Sequence, residues 1–268
     1  MNISLDQTIY PNQQALLPFA LTDVLIEYVS ENKQPLLHFW QLENTMILGM
    51  KDTRVPHLKA GVQTLQQAGY PPVIRSAGGL GVISDPAILN ISLIVPRKDQ
   101  TTDTAYEKMY QLTQLAFPEL SITTGEVFDS YCPGTYDLSC GGKKIAGIAQ
   151  RKIKDGIAIM MYLSVAGPQK ERGQIVKGFY STSLRQKFGQ NGYPPVNPAS
   201  MTTVSTVLKE KLSIAQTKSR FLTAFSQFTK KNIVQTDSHQ WLSRENKSAA
   251  YKDKLSRMIT RNEILDNL

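Results

Sequence analysis

The chain has 268 residues, 41% hydrophobic and 19% charged, which is enough apolar material for a sizeable core and excludes a disordered chain. Its 30 Lys and Arg against 22 Asp and Glu give a net charge of +8, and its two cysteines exclude a disulfide scaffold and fit a reducing, cytoplasmic setting. No run approaches the roughly 18 apolar residues of a membrane span, and the opening MNISLDQTIYPNQQ lacks the basic start and apolar core of a secretory signal.

In chain order, residues 15–30 (ALLPFALTDVLIEYVS) carry apolar side chains at helical spacing. Residues 36–40 and 45–49 read as two short strands joined by a turn. Residues 55–68 read as a helix stopped by Gly69 and Pro71-Pro72. Residues 73–75 form a short strand that feeds a glycine-rich segment. Residues 89–95 (LNISLIV) alternate and are strongly β-forming. Residues 106–115 read as a helix. Residues 144–150 and 157–165 bracket Lys154-Asp155-Gly156, a hairpin turn. The turn-rich 189–198 marks a change of character, after which 205–212 and 218–228 read as helices. The last thirty residues read as one or two amphipathic helices. Helices and strands mix without regular alternation. This predicts an α+β fold, a mixed sheet with flanking helices, rather than a doubly wound sheet.

The charge is uneven. Residues 207–268 hold twelve basic and six acidic residues, so they carry +6 of the +8. A second cluster comprises Lys143, Lys144, Arg151, Lys152 and Lys154. A solvated helical face explains such clusters, and so does steering toward an acidic protein. Nucleic acid is the weaker reading, because no zinc pattern, aromatic RNA signature or helix-turn-helix accompanies them.

Three segments can carry chemistry. In the first, Arg75 ends a strand and precedes Gly78, Gly79, Leu80 and Gly81, with Asp85, Asn90 and Ser92 downstream. Glycines there permit close approach and positive φ, so that amides can converge on an oxygen. Asn90 and Ser92 share one strand face. Neither a Walker loop nor a dinucleotide fingerprint fits the spacing, and a plain turn between core strands does. The second is Tyr131-Cys132-Pro133-Gly134-Thr135-Tyr136-Asp137-Leu138-Ser139, a cysteine in a turn. Cys140 follows at a spacing unsuited to a metal. His38, His57 and His239 are scattered, so no local Cys-His dyad is legible. The third is Gly141-Gly142-Lys143-Lys144-Ile145-Ala146-Gly147-Ile148-Ala149-Gln150. A lysine entering a strand among small residues can point inward, polarise a carbonyl or lower a thiol pKa. A solvated turn lysine is the bland alternative.

Together these segments resemble the lipoate–protein ligase and lipoyl/octanoyl transferase superfamily, whose catalytic domain is related to biotin–protein ligases and is class II synthetase-like. The match lies in R-S-A-G-G-L-G-V-x-x-D-x-x-x-L-N-x-S and in K-I-A-G, across about residues 15–210. Y-C-P-G-T-Y-D-L-S, G-G-K-K-I-A-G-I-A-Q-R and L-G-M-K-D-T-R-V-P are similar to the octanoyl amidotransferases of Gram-positive bacteria. Leu80 interrupts the three adjacent glycines of the ligase form, which fits the transferase branch.

The resemblance implies a catalytic domain over 1–210, with 211–268 as a basic helical extension packed on it. It implies a cytoplasmic acyltransferase of protein lipoylation. This enzyme would take an octanoyl or lipoyl group from the H protein of the glycine cleavage system and pass it to lipoyl domains of 2-oxoacid dehydrogenases. Cys132 is the implied nucleophile and Lys144 the implied charge beside it. Arg75, Gly78, Gly79, Leu80, Asp85, Asn90, Ser92, Tyr136, Asp137 and Gly147 are the implied binding and positioning residues. Leu80, Val82, Ile148 and Ala149 are expected to line an apolar acyl slot. The expected partners are acidic carrier proteins. ATP, metal, nucleic acid and membrane are not expected, and a monomer is. The alternatives are an ATP-dependent lipoate ligase, an octanoyl transferase fed by acyl carrier protein, and a non-catalytic acyl-lysine binding module.

Overall fold

The computed structural model describes residues 2–98 and 100–268. Among them, eight strands form one mixed sheet. Its order is β11 (Ile233–Asp237), β1 (Asn2–Tyr10), β2 (Leu36–Leu42), β6 (Ile88–Pro96), β10 (Gly156–Ser164), β9 (Lys143–Ile153), β8 (Leu138–Cys140) and β7 (Ile122–Thr124). A smaller sheet runs β4 (Pro72–Ile74), β3 (Thr45–Leu48), β5 (Val82–Ser84). The helices are α1 (Leu17–Asn32), α2 (Leu58–Gln67), α3 (Thr102–Ala116), α4 (Gln169–Leu184), α5 (Val204–Leu208), α6 (Ile214–Thr229), α7 (Ser238–Arg244) and α8 (Ser248–Asp266).

The period of two along β6 divides the molecule into layers. Leu89, Ile91 and Leu93 pack with Met109 and Leu112 of α3 and with Phe221 and Phe225 of α6. Between them on the strand, Asn90 and Ser92 face the other way, toward a slot. Further along that second face Ile94 meets α1, whose Leu21, Val24 and Leu25 are buried there. The small sheet stands on the same side. Its Met46, Ile47, Leu48 and Ile83 pack with Leu58 and Leu65 of α2 and Phe179 of α4. A groove therefore opens between the large sheet, α1 and the small sheet.

The two strands read at 36–40 and 45–49 are present, but they belong to different sheets. The chain changes sheet at Glu43-Asn44 instead of folding back as a hairpin. The helix read at 205–212 stops at Leu208. Lys209 turns left-handed at φ 57°, and the Leu212 N–H donates to Ser205 Oγ at 3.0 Å. The helix read at 218–228 starts earlier, at Ile214, behind a reciprocal Ser213–Gln216 capping box. Likewise the helix read at 106–115 starts at Thr102, behind Thr101 and Thr104. The sequence reading had no counterpart for β1, α4 or β11.

The C-terminal residues are tied to the rest of the chain. β11 pairs in parallel with β1. Lys247 and Lys254 of the last segment bond Glu31 and Glu27 of α1, each at 2.8 Å. Lys218 reaches Asp6 at 2.6 Å. Part of the basic excess thus fastens these helices to acids on α1 and β1. No helix among the described residues is long and apolar enough to cross a membrane.

Candidate active site

Arg75 enters the site from β4. Its N–H donates to Leu48 O at 2.9 Å, which extends the parallel β3–β4 pairing by one residue. Its Nη2 donates to Leu80 O at 2.9 Å and closes the glycine segment onto itself. Gly79 sits at φ +94°, where a Cβ would meet the Arg75 guanidinium at 2.5 Å and Cys132 Sγ at 3.0 Å. Close approach of these two side chains requires glycine here.

Cys132 lies in the loop between β7 and β8 at φ 48°, an uncommon backbone for a residue with a side chain. The Leu80 N–H points at its sulfur with N···Sγ 3.1 Å, and Arg75 Nη2 lies 3.7 Å from Sγ. The sulfur thus faces a backbone amide and a guanidinium.

Lys144 turns inward from β9 and is 3% exposed. Gly147 leaves it room, since a Cβ there would stand 3.3 Å from Lys144 Cε. Nζ donates to Cys132 O at 2.8 Å, Tyr131 O at 3.0 Å and Ser130 Oγ at 3.2 Å, and pairs with Asp137 Oδ1 at 2.9 Å. The sequence predicts an inward ammonium that polarises a carbonyl or acts on the thiol. The structure aims it at the carbonyls of the cysteine's own loop and at Asp137, because a buried ammonium needs a buried anion. Asp137 in turn accepts the Gly134 and Val127 N–H groups. Burial pushes its carboxyl up from the ordinary value, and Lys144 and the two amides pull it back.

The slot beside the thiol is lined by Arg75, Asn90, Ser92, Cys132, Lys144 and Gly147 of the expected residues, and by Val82, Ile148 and Ala149. Sheet register orders part of its floor. Gly147, Tyr162 and Asn90 stand in one row, and Ala149, Met160 and Ser92 in the next. Asn90 Nδ2 donates to Ser84 Oγ, while Ser92 Oγ has no hydrogen-bond partner among the described residues.

Other expected residues sit elsewhere. Gly78, Gly79 and Leu80 build the loop over the thiol, and the Leu80 side chain packs into the core. Asp85 accepts a bidentate pair of bonds from fully buried Arg172, at 2.6 and 2.7 Å. Arg172 Nη1 reaches Gln169 Oε1, and Gln169 Nε2 donates to the Tyr131 hydroxyl, which also meets Tyr162. Asp85 therefore reaches the cysteine loop through three side chains. Tyr136 rests on the Tyr106 ring, with centroids 5.1 Å apart. Asp137 lies behind Lys144.

The sequence reading missed one lining pair. Arg151 Nη2 bonds Asp23 Oδ2 at 2.7 Å and its Nη1 donates to Ser76 O at 2.9 Å, so one guanidinium joins β9, α1 and the glycine segment. Phe19, Trp40 and Tyr162 add aromatic surface. None of the three histidines lines the slot. His38 is fully buried, and burial lowers its pKa to about 3.

Residues 14–226 match the family described as "Lipoyl protein ligase A/B catalytic domain". The chain is 37% identical to the "Octanoyl-[GcvH]:protein N-octanoyltransferase" of Anoxybacillus flavithermus, over 81% of this chain and 80% of that one. It is 35% identical to the "Lipoyl-[GcvH]:protein N-lipoyltransferase" of Listeria monocytogenes, over 82% and 81%. Its fold is similar to a crystal structure of lipoate-protein ligase A bound with ATP, with TM-score 0.71, 16% identity and coverage of 96% and 94%.

Proposed function

The chain belongs to the lipoyl protein ligase A/B catalytic-domain family, and from that premise we propose how it acts. It is an acyltransferase of protein lipoylation, an octanoyl-[GcvH]:protein N-octanoyltransferase by its likeness to the curated relatives. In our reading the acceptors are lysines of 2-oxoacid dehydrogenase lipoyl domains, the enzyme acts as a monomer, and its place is the cytoplasm, where a nucleophilic thiol stays reduced.

The observation that carries the site assignment is the thiol of Cys132 beside an apolar slot, under the Leu80 amide. The Cys132 thiolate attacks the carbonyl carbon of the octanoyl-lysine amide on the donor. The C–N bond breaks, and the proton given up by the thiol ends on the departing lysine amine. The acceptor lysine, as its free amine, then attacks the thioester, the C–S bond breaks, and the proton that the amine gives up returns to the sulfur. One hard exchange becomes two easier ones. An amide is exchanged for an amide, so the net reaction is close to balanced and calls for no ATP.

Arg75 and the Leu80 N–H supply positive potential at the sulfur. Lys144 fixes the carbonyl of Cys132 and thereby the loop, and its charge offsets negative charge that builds next to it. Val82, Ile148 and Ala149 hold the acyl chain.

The test combines purified enzyme, octanoylated H protein and an unmodified lipoyl domain without ATP, with the mass of the lipoyl domain as readout. Octanoylation that disappears in Cys132→Ala supports the reading. Transfer only from octanoyl acyl carrier protein, or only from free acid with ATP, contradicts it.

A further inference from the structure

The Gly49–Arg54 turn, part of the branch-like L-G-M-K-D-T-R-V-P segment, has no role in the chemistry above, yet it lies directly beneath the glycine segment. A Cβ on Gly49 would stand 1.9 Å from the Gly79 carbonyl oxygen, so the two backbones touch. Asp52, fully buried in this turn, accepts the Gly49 N–H on Oδ2 at 2.8 Å. Its Oδ1 accepts the Tyr180 hydroxyl at 2.8 Å. Tyr180 Oη, also fully buried, accepts the Gly81 N–H at 3.0 Å. The glycine segment is thus held on both sides of Leu80, by Gly49 under Gly79 and by Tyr180 at Gly81.

We propose that Asp52 and Tyr180 are positioning residues for the thiol: together they hold the segment so that the Leu80 N–H stays on Cys132 Sγ. The hydrogen-bond directions fit one protonation state. Tyr180 Oη already accepts from Gly81, so its proton goes to Asp52. Both Asp52 oxygens face donors, and a proton on either would lack an acceptor in a buried place. The arrangement therefore uses Asp52 as a carboxylate. The charged and titratable groups around it agree. Arg75 and Lys51 bear on Asp52 in the sense that favours its anion. Lys51 is itself tied to the carbonyls of Asn191 and Gly192. Tyr193, whose ring lies 5.9 Å from that of Tyr180, donates its hydroxyl to Lys51 O. Burial raises Asp52 to about 6, so the carboxylate form prevails at neutral pH.

The test reads the thiol itself. Carboxamidomethylation of Cys132 by iodoacetamide is followed by site-resolved mass spectrometry from pH 5 to 10 in the wild type, Asp52→Asn, Tyr180→Phe and the double variant. Loosening one hydrogen-bond donor at a thiolate moves its titration by about one unit. The pH of half-maximal rate should rise by about that much in each single variant and no further in the double, because both act through one chain of bonds. A merely structural role would leave the half-point where it is. Tyr180→Phe keeps the ring and its packing, so it decides the matter even where Asp52→Asn fails to fold. A half-point in folded Tyr180→Phe equal to the wild type overturns the proposal. The readout needs no acyl donor, so it stands or falls apart from the transfer reaction.

Discussion

Lys144 Nζ lies 2.8 Å from the carbonyl oxygen of Cys132, whereas the Leu80 amide lies 3.1 Å from the Cys132 sulfur. The lysine governs the backbone of the nucleophile's loop, and the glycine segment governs its thiol. This division of labour leads to separable effects on stability and on rate.

Lys144→Ala removes one partner of an ion pair in which both side chains are at most 3% exposed. Leaving Asp137 unpaired should cost about 3–5 kcal/mol of stability. A Lys144→Met, Asp137→Asn double variant should recover much of that loss in urea unfolding. Its single-turnover acylation should stay at least about tenfold slow. Full recovery of acylation along with stability would remove Lys144 from the chemistry.

Two buried groups make stability depend on pH with opposite signs. Asp52 rises from 3.8 to about 6 in the fold. Its contribution is present below about pH 4 and is lost as pH rises through 6. The wild type should therefore gain on Asp52→Asn as pH falls from 6 to 4, by up to about 3 kcal/mol. His38 falls from 6.5 to about 3. Its contribution is present above pH 6.5 and is lost on acidification. The wild type should lose on His38→Gln by about 1.4 kcal/mol per pH unit below 6.5. Urea titrations at pH 4 to 8 read both slopes.

Asn262 ties the C-terminal helix to β4. Asn262 Oδ1 accepts the Ile74 N–H at 2.7 Å, and its Nδ2 donates to Ile74 O at 3.1 Å. Asn262 thus pairs the open edge of β4 next to Arg75. Asn262→Ala leaves both backbone groups unpaired, at a cost of about 1–3 kcal/mol. Acylation should slow in the folded variant, because Arg75 loses its anchored neighbour. An unchanged rate would confine Asn262 to stability.

Ala149 stands beside Met160, one row beyond Gly147 and Tyr162 on the slot floor. Ala149→Leu adds three carbons there. The variant should discriminate against octanoyl in favour of butyryl donors by about tenfold or more relative to the wild type, since each methylene is worth about 1 kcal/mol in an apolar pocket. Equal selectivity would place the acyl chain elsewhere.

The net charge of +8 remains after the pairing of Lys247 and Lys254 with α1. Turnover with acidic carrier proteins should fall several-fold between about 20 and 200 mM salt, through encounter rate more than through kcat. Indifference to salt would assign the charge wholly to the fold.

The sequence made the chemistry-bearing residues legible where they are dense and local. Arg75, Cys132 and Lys144 stand among glycines and turns that few other roles explain, and all three line one slot. The Asp23–Arg151 pair was not legible. Its members lie 128 residues apart, and each reads alone as a surface charge. Asp52 and Tyr180 are separated by the same distance along the chain, and nothing local links a turn aspartate to a helix tyrosine. The partners of Lys144 escaped for a related reason. A lysine's pattern says that it turns inward, while what it meets there depends on how the cysteine loop folds over it. Among the elements, β11 (IVQTD) has two apolar residues and owes its strand to parallel pairing with β1. Residues 169–184 hold two glycines and a weak apolar stripe, and packing on α2 makes them a helix.

The central claim is a thioester on Cys132. Its most direct test is the intact mass of the enzyme after mixing with octanoylated H protein without ATP, beside Cys132→Ala. The account predicts an added octanoyl group that hydroxylamine removes and that the variant never acquires. Octanoylation of an acceptor domain by an enzyme that never carries the adduct, or by Cys132→Ala itself, would contradict it.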